Sequence, residues 1–163
     1  KHLTILFIAA VLVATSCSKS NQELLVGTWT ASGLKVTSKS TTTNQDTVYD
    51  ITPLLMFSPT SFTFNACAST CTGSMTLGGM TNSFTYVLSD DGKTITATDS
   101  TSVKNVIAIS ELTSTSLKVK ANIPVGQFIF NPSVPATADI ELTKNKNDDS
   151  TIENGLISAK YCH

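Results

Sequence analysis

The chain has 163 residues, 40% of them hydrophobic and only 14% charged, with a formal net charge of −1. That length suits one domain plus a targeting segment and allows a real core. All eleven basic residues are lysines; without arginine or a basic run, a nucleic-acid partner is not expected.

Residues 1–17 read as a lipoprotein signal peptide. Lys1 and His2 precede the apolar stretch from Leu3 to Val13, which is shorter than the roughly 20 apolar residues a membrane-spanning helix needs. The stretch ends in Val13-Ala14-Thr15-Ser16-Cys17, which resembles a bacterial lipobox. The resemblance implies that Cys17 is the lipid-attachment residue, carrying acyl chains such as palmitate. Each buried lipid CH₂ contributes about 0.8 kcal/mol, so two or three chains hold a protein on a membrane. Residues 18–24 then form a polar tether. Ser18 rather than Asp follows Cys17, which by the same resemblance implies the outer membrane. No acidic run follows the cysteine, which favours the periplasmic face of the cell envelope.

From Val26 onward, short alternating runs are separated by turn residues. Thr28 and Thr30 alternate with Trp29 and Ala31, and Gly33 breaks the phase, as at a bulge or barrel bend. Residues 38–47 read as a Ser/Thr/Asn-rich loop, Leu54 to Phe57 as a strand, and Ser58-Pro59-Thr60 as a turn. Phe62 and Phe64 mark the next strand and residues 72–77 another, ahead of Gly78-Gly79. Phe84, Tyr86 and Leu88 share one face of a strand that Asp90-Asp91-Gly92-Lys93 turns into Ile95 and Ala97. Val106 to Ile109 follows, then Leu117, Val119, Ala121 and Ile123 alternating with Lys118, Lys120 and Asn122. Phe128 and Phe130 mark a further strand, residues 131–135 a loop, and Ile140 and Leu142 the last strand. No segment before residue 150 has a convincing helical period. Serine and threonine exceed a quarter of the chain, in keeping with strands and turns. The expected fold is all-β: an antiparallel up-and-down barrel of about eight strands over residues 25–144, with an immunoglobulin-like β-sandwich as the alternative. Residues 145–163 form a polar C-terminal tail.

In an oxidising envelope, Cys67 and Cys71 are close enough in sequence to form a disulfide, a small loop worth roughly 2 kcal/mol. Cys162 is then unpaired, or pairs with one of those two if the tail folds back. The alternative is zinc held by Cys67, Cys71, Cys162 and His163; the expectation is no metal and no other cofactor.

Glu23-Leu24-Leu25-Val26-Gly27-Thr28-Trp29, just after the tether, opens the first strand with Gly-x-Trp. Together with the Leu54–Phe64 strand–turn–strand, the Asp91-Gly92-Lys93-Thr94-Ile95 hairpin and the Ile109–Leu117 segment, it resembles the lipocalin-like domains of Bacteroidetes lipoproteins, relatives of the calycin barrels. The arginine that packs on the tryptophan in that family has no counterpart here. The resemblance implies a barrel floored by Gly27 and Trp29 and a protein binding a small hydrophobic ligand, with Phe57, Phe62, Phe64, Phe84, Tyr86, Phe128 and Phe130 as candidate lining residues. The simpler reading is that these rings fill a core. The alternative function is a structural or accessory envelope lipoprotein acting on a protein partner. Catalysis is not expected, because the histidine beyond the signal segment, His163, lies in the tail and Asp90-Asp91 and Asp148-Asp149 read as solvated charges.

Overall fold

Period-two alternation puts the apolar side chains of each strand on one face, and here those faces meet around a single axis. The computed structural model describes residues 19–40, 42–67, 70–125 and 133–146. The signal segment with Cys17, the pair Phe128 and Phe130, and the tail bearing Cys162 and His163 lie outside the described residues. A short helix, α1 (Asn21–Leu25), leads into β1 (Gly27–Lys39), β2 (Asp46–Asp50), a 3₁₀ turn (Thr52–Met56), β3 (Thr60–Phe64), β4 (Cys71–Leu77), β5 (Met80–Leu88), β6 (Thr94–Asp99), β7 (Lys104–Leu112), β8 (Ser116–Ile123) and β9 (Ala136–Lys144).

Every pairing among these strands is antiparallel, and β3 to β9 neighbour one another in chain order. β1 pairs with β3 through Gly27–Thr30 and with β9 through Trp29–Ser38. Eight strands therefore close into a barrel, the expected up-and-down architecture, and the two-sheet sandwich is excluded. β2 stands outside that closure and extends the sheet along the far half of β1, pairing with Lys35–Lys39. The β1–β9 register shifts between Ala31 and Gly33, a bulge that bends this long strand at the phase break seen in the sequence.

Three local expectations are corrected. Leu54–Phe57 lies in and just after the 3₁₀ turn rather than in a strand. Pro53 starts that turn; its ring fixes φ and it lacks an N–H to give a ladder. The expected loop at 38–47 shrinks to 40–45, because β1 runs to Lys39 and β2 begins at Asp46. α1 occupies most of the expected tether at 18–24 and runs one residue past it. Ser20 and Glu23 form a capping box there, with Ser20 N–H donating to Glu23 Oε2 at 2.6 Å and Glu23 N–H donating to Ser20 Oγ at 3.3 Å; two otherwise unpaired amide donors are thereby satisfied.

Among the described residues the interior has two apolar clusters. One, beside α1, joins Leu25, Trp29, Phe64, Tyr86, Ile95, Leu117, Val119 and Leu142. The other, toward the far end of β1, joins Val36, Ala136 and Ala138 with Leu34, Tyr49, Ile51 and Ile123 packed against it. Outward positions are largely polar, in rows such as Thr72, Thr85, Thr98 and Lys104 on β4 to β7. An apolar inside and a hydroxyl-rich outside are the reverse of a transmembrane barrel.

Candidate functional site

The strand directions give the barrel two unlike ends. β1 starts at the end capped by α1, and the turns at 65–70, 89–93 and 113–115 gather there. The turns at 40–45, 78–79 and 100–103 and the 3₁₀ turn lie at the opposite end.

The α1 end is sealed. Trp29 is fully buried, and its indole N–H donates to Leu25 O at 2.7 Å. Lys144 Nζ sits 5.2 Å from the Trp29 ring centre and donates to Leu24 O at 3.1 Å. A lysine from the last strand thus places a cation on this tryptophan in a chain without arginine, a contact worth about 0.5–2 kcal/mol depending on desolvation. Gln22 Nε2 donates to the Tyr86 hydroxyl at 2.8 Å, and that hydroxyl donates to Asn65 O at 3.1 Å. Burial raises the Tyr86 phenol above its ordinary range, and the Gln22 hydrogen bond opposes this only in part. Cys67 and Cys71 form a disulfide with Cα atoms 5.0 Å apart, next to the Gln22 amide. That pairing removes both thiolates from any zinc site.

The candidate lining residues do not share one environment. Phe64, Phe84 and Tyr86 pack edge to face, with ring centres 5.1 Å apart for Phe64–Tyr86 and 5.9 Å for Phe64–Phe84. They fill the barrel above Trp29 rather than leave space there. Gly73, opposite both Phe64 and Phe84 in register, makes this possible: a Cβ on it would lie 2.6 Å from Phe84 Cζ and 2.6 Å from Thr63 O. Phe62 packs against this cluster and is partly buried. Phe57 points away from the barrel wall and is 86% exposed just after the 3₁₀ turn. Phe128 and Phe130 are outside the described residues. Gly27 and Trp29 sit at the sealed end, Gly27 paired with Phe64.

At the far end the inward-facing positions are a mixture of half-covered apolar residues and the exposed polar residues Asn82, Asp99 and Asn105. Met75, Ile107, Ala121 and Ile123 are partly buried, and Leu77 and Met80 are exposed. Met56 and Phe57 add an apolar rim beside the Leu77–Met80 turn, where Gly78 N–H donates to Pro59 O. A cavity of about 220 Å³ bounded by Thr70, Thr85, Tyr86, Val87, Thr96, Thr98 and Lys104 lies along β5 and β6, mostly on their outward-facing residues. Among the described residues, no three metal-ligating side chains cluster.

Sequence reasoning missed Gln22, Lys144, Gly73 and Ser38 as parts of this interior. A signal existed for Gln22, since Ser20-x-x-Glu23 is a capping-box pattern; the others depend on partners distant in sequence. Compared with models of known protein families, with curated proteins and with solved structures, the chain matches none.

Proposed function

We propose that this chain is a membrane-anchored, lipocalin-like lipoprotein that holds a small apolar ligand in the cell envelope, without catalysing a reaction. One observation carries the reading: a closed barrel is sealed at one end by α1, Trp29 and Lys144, while apolar inward-facing residues stay half-covered at the other. An eight-stranded barrel of this kind is wide enough for one small ligand. Because Phe64, Phe84 and Tyr86 occupy the sealed half, the ligand belongs in the half lined by Phe62, Ile107, Ala121 and Ile123. Lipid on Cys17 would lie only three residues before the Ser20 cap, so the sealed end faces an outer-membrane leaflet and the mouth faces the periplasm.

Native mass spectrometry of protein purified from its host tests the ligand. A co-purifying small molecule supports the carrier, and a bare chain in every preparation removes it. Cys17→Ala is expected to move the protein from the membrane to the soluble fraction; unchanged membrane retention would end the anchor reading. The exposed rim of Met56, Phe57 and Met80 favours a second reading, an accessory lipoprotein whose mouth meets an envelope protein. A bare chain by mass spectrometry together with a protein crosslinked at the rim would favour it.

A further inference from the structure

Ser38 lies near the end of β1, opposite Ala136 on β9 and Thr47 on β2. It is 2% exposed, and among the described residues its hydroxyl is the buried side-chain polar atom that has no hydrogen-bond partner. Folded proteins pair the large majority of such atoms, and leaving one unpaired is destabilising. An alanine would occupy the same strand position without that cost. The side chains sharing its face on β1, β8 and β9 are apolar and mostly small (Val36, Ala136, Ala138, Ala121 and Ile123), and Thr47 stands opposite it on β2. The nearby lysines of β1 and β8, Lys35, Lys39, Lys118 and Lys120, alternate to the outer face, where Lys120 pairs with Asp139 and Lys118 with Glu111. The titratable group on the inner face of β2 is the Tyr49 phenol, opposite Val36.

We propose that Ser38 Oγ is the hydrogen-bonding contact for the polar group of a neutral, mostly aliphatic ligand, with a long-chain alcohol as the simplest example. The inference rests on the carrier reading above and gives that site its ligand class. The Ser38 hydroxyl, with alanines and valine on one side and Thr47 on the other, can satisfy one donor or acceptor. It cannot offset the burial of a carboxylate, which needs a cation or several donors. The ligand therefore brings one uncharged polar group to Ser38 and lays its chain toward Ile107 and Ile123.

The test is displacement of N-phenyl-1-naphthylamine from the purified chain by 1-decanol and by decanoate at pH 8, with melting temperatures taken without ligand. Wild type is expected to prefer decanol. Ser38→Ala is expected to weaken decanol binding about three- to tenfold, the usual worth of one hydrogen bond, to leave decanoate binding unchanged, and to melt no lower than wild type. Ser38→Thr, which keeps the hydroxyl, should keep the preference. Decanol binding unaffected by Ser38→Ala, a preference for decanoate, or a clearly lower melting temperature of ligand-free Ser38→Ala overturns the inference while leaving the carrier reading intact. Failure of wild type to bind any of the naphthylamine, decanol and decanoate overturns the carrier reading itself.

Discussion

Gly73→Ala is the sharpest test of how the sealed half of the barrel is filled. The new methyl would lie 2.6 Å from Phe84 Cζ, 2.7 Å from Phe84 Cε2 and 2.6 Å from the carbonyl oxygen of Thr63. Overpacking a core costs about 1–3 kcal/mol. The Phe84 ring has little room to turn, being packed against Phe64 and Tyr86. The Thr63 carbonyl belongs to the β3–β4 ladder and cannot rotate away. The expected cost is therefore in the upper part of that range, about 2–3 kcal/mol. At roughly 3–5 °C per kcal/mol for a domain of this size, the melting temperature should fall by about 6–15 °C. Urea unfolding followed by the emission of Trp29, the chain's one tryptophan, measures it directly, because that ring is fully buried at the floor of the same cluster. Gly33→Ala is the comparison: its Cβ would meet Glu141 Oε2 at 3.2 Å, which can swing away, and Glu141 Cβ at 3.3 Å, which must give by a few tenths of an ångström, so the cost should stay at or below about 1 kcal/mol, the low end of overpacking. Adding Phe84→Leu to Gly73→Ala should recover part of the loss, because only the ring contact is relieved. A Gly73→Ala protein as stable as the Gly33→Ala protein would refute the close approach of β4 and the aromatic cluster.

Other outcomes follow from the same geometry. Reducing Cys67–Cys71, or replacing both with serine, should cost about 2 kcal/mol by loop entropy, read as a lower urea midpoint with dithiothreitol; an unchanged midpoint would mean that the bridge does not constrain the unfolded chain. Tyr86→Phe deletes the hydrogen bonds to Gln22 and Asn65 and should cost about 1 kcal/mol, with amide exchange rising in α1 before the rest of the barrel. The Tyr86 phenol is raised, so its contribution is fully present below its unfolded value near pH 10 and is lost as pH climbs through the higher folded value; alkaline unfolding should be gentler in Tyr86→Phe. The Asp91 and Asp99 carboxyls are lowered mainly by hydrogen bonds from Ser89 and Thr101, with backbone N–H groups of Lys93 and Val103 adding to them. Their contribution is present above the ordinary carboxylate range and fades as pH falls below about 4, so Asp91→Asn with Asp99→Asn should flatten the acid limb of a stability-versus-pH curve. An acid limb unchanged in the double variant would show that these turns do not report on folding.

Strands whose signal is local were legible in the chain itself. Phe62 and Phe64, Phe84 to Leu88, and Leu117 to Ile123 alternate cleanly, because a strand's two faces are set residue by residue. The Asp-Gly turn after Asp90 was legible for the same reason: Gly92 takes φ +69 there, with Asn21 packed against it. Leu54–Phe57 misled because an apolar run of that length does not distinguish a strand from a turn, and β2 was hidden because Asp46-Thr47-Val48-Tyr49-Asp50 lacks an apolar stripe. The capping box of α1 was on view, but five residues carry too little helical period to register.

Composition and alternation by themselves determined an all-β chain with one apolar face per strand; the spacing of Cys67 and Cys71 allowed their pairing, and the structure shows it. The tertiary structure alone decided that β1 meets both β3 and β9 and so closes the cylinder, that Lys144 supplies the cation over Trp29, that Phe64, Phe84 and Tyr86 fill one half, and that the Ser38 hydroxyl is left unpaired in the other. Each of those joins residues tens of positions apart or more, and such contacts depend on strand order and register, which no local pattern of side chains encodes.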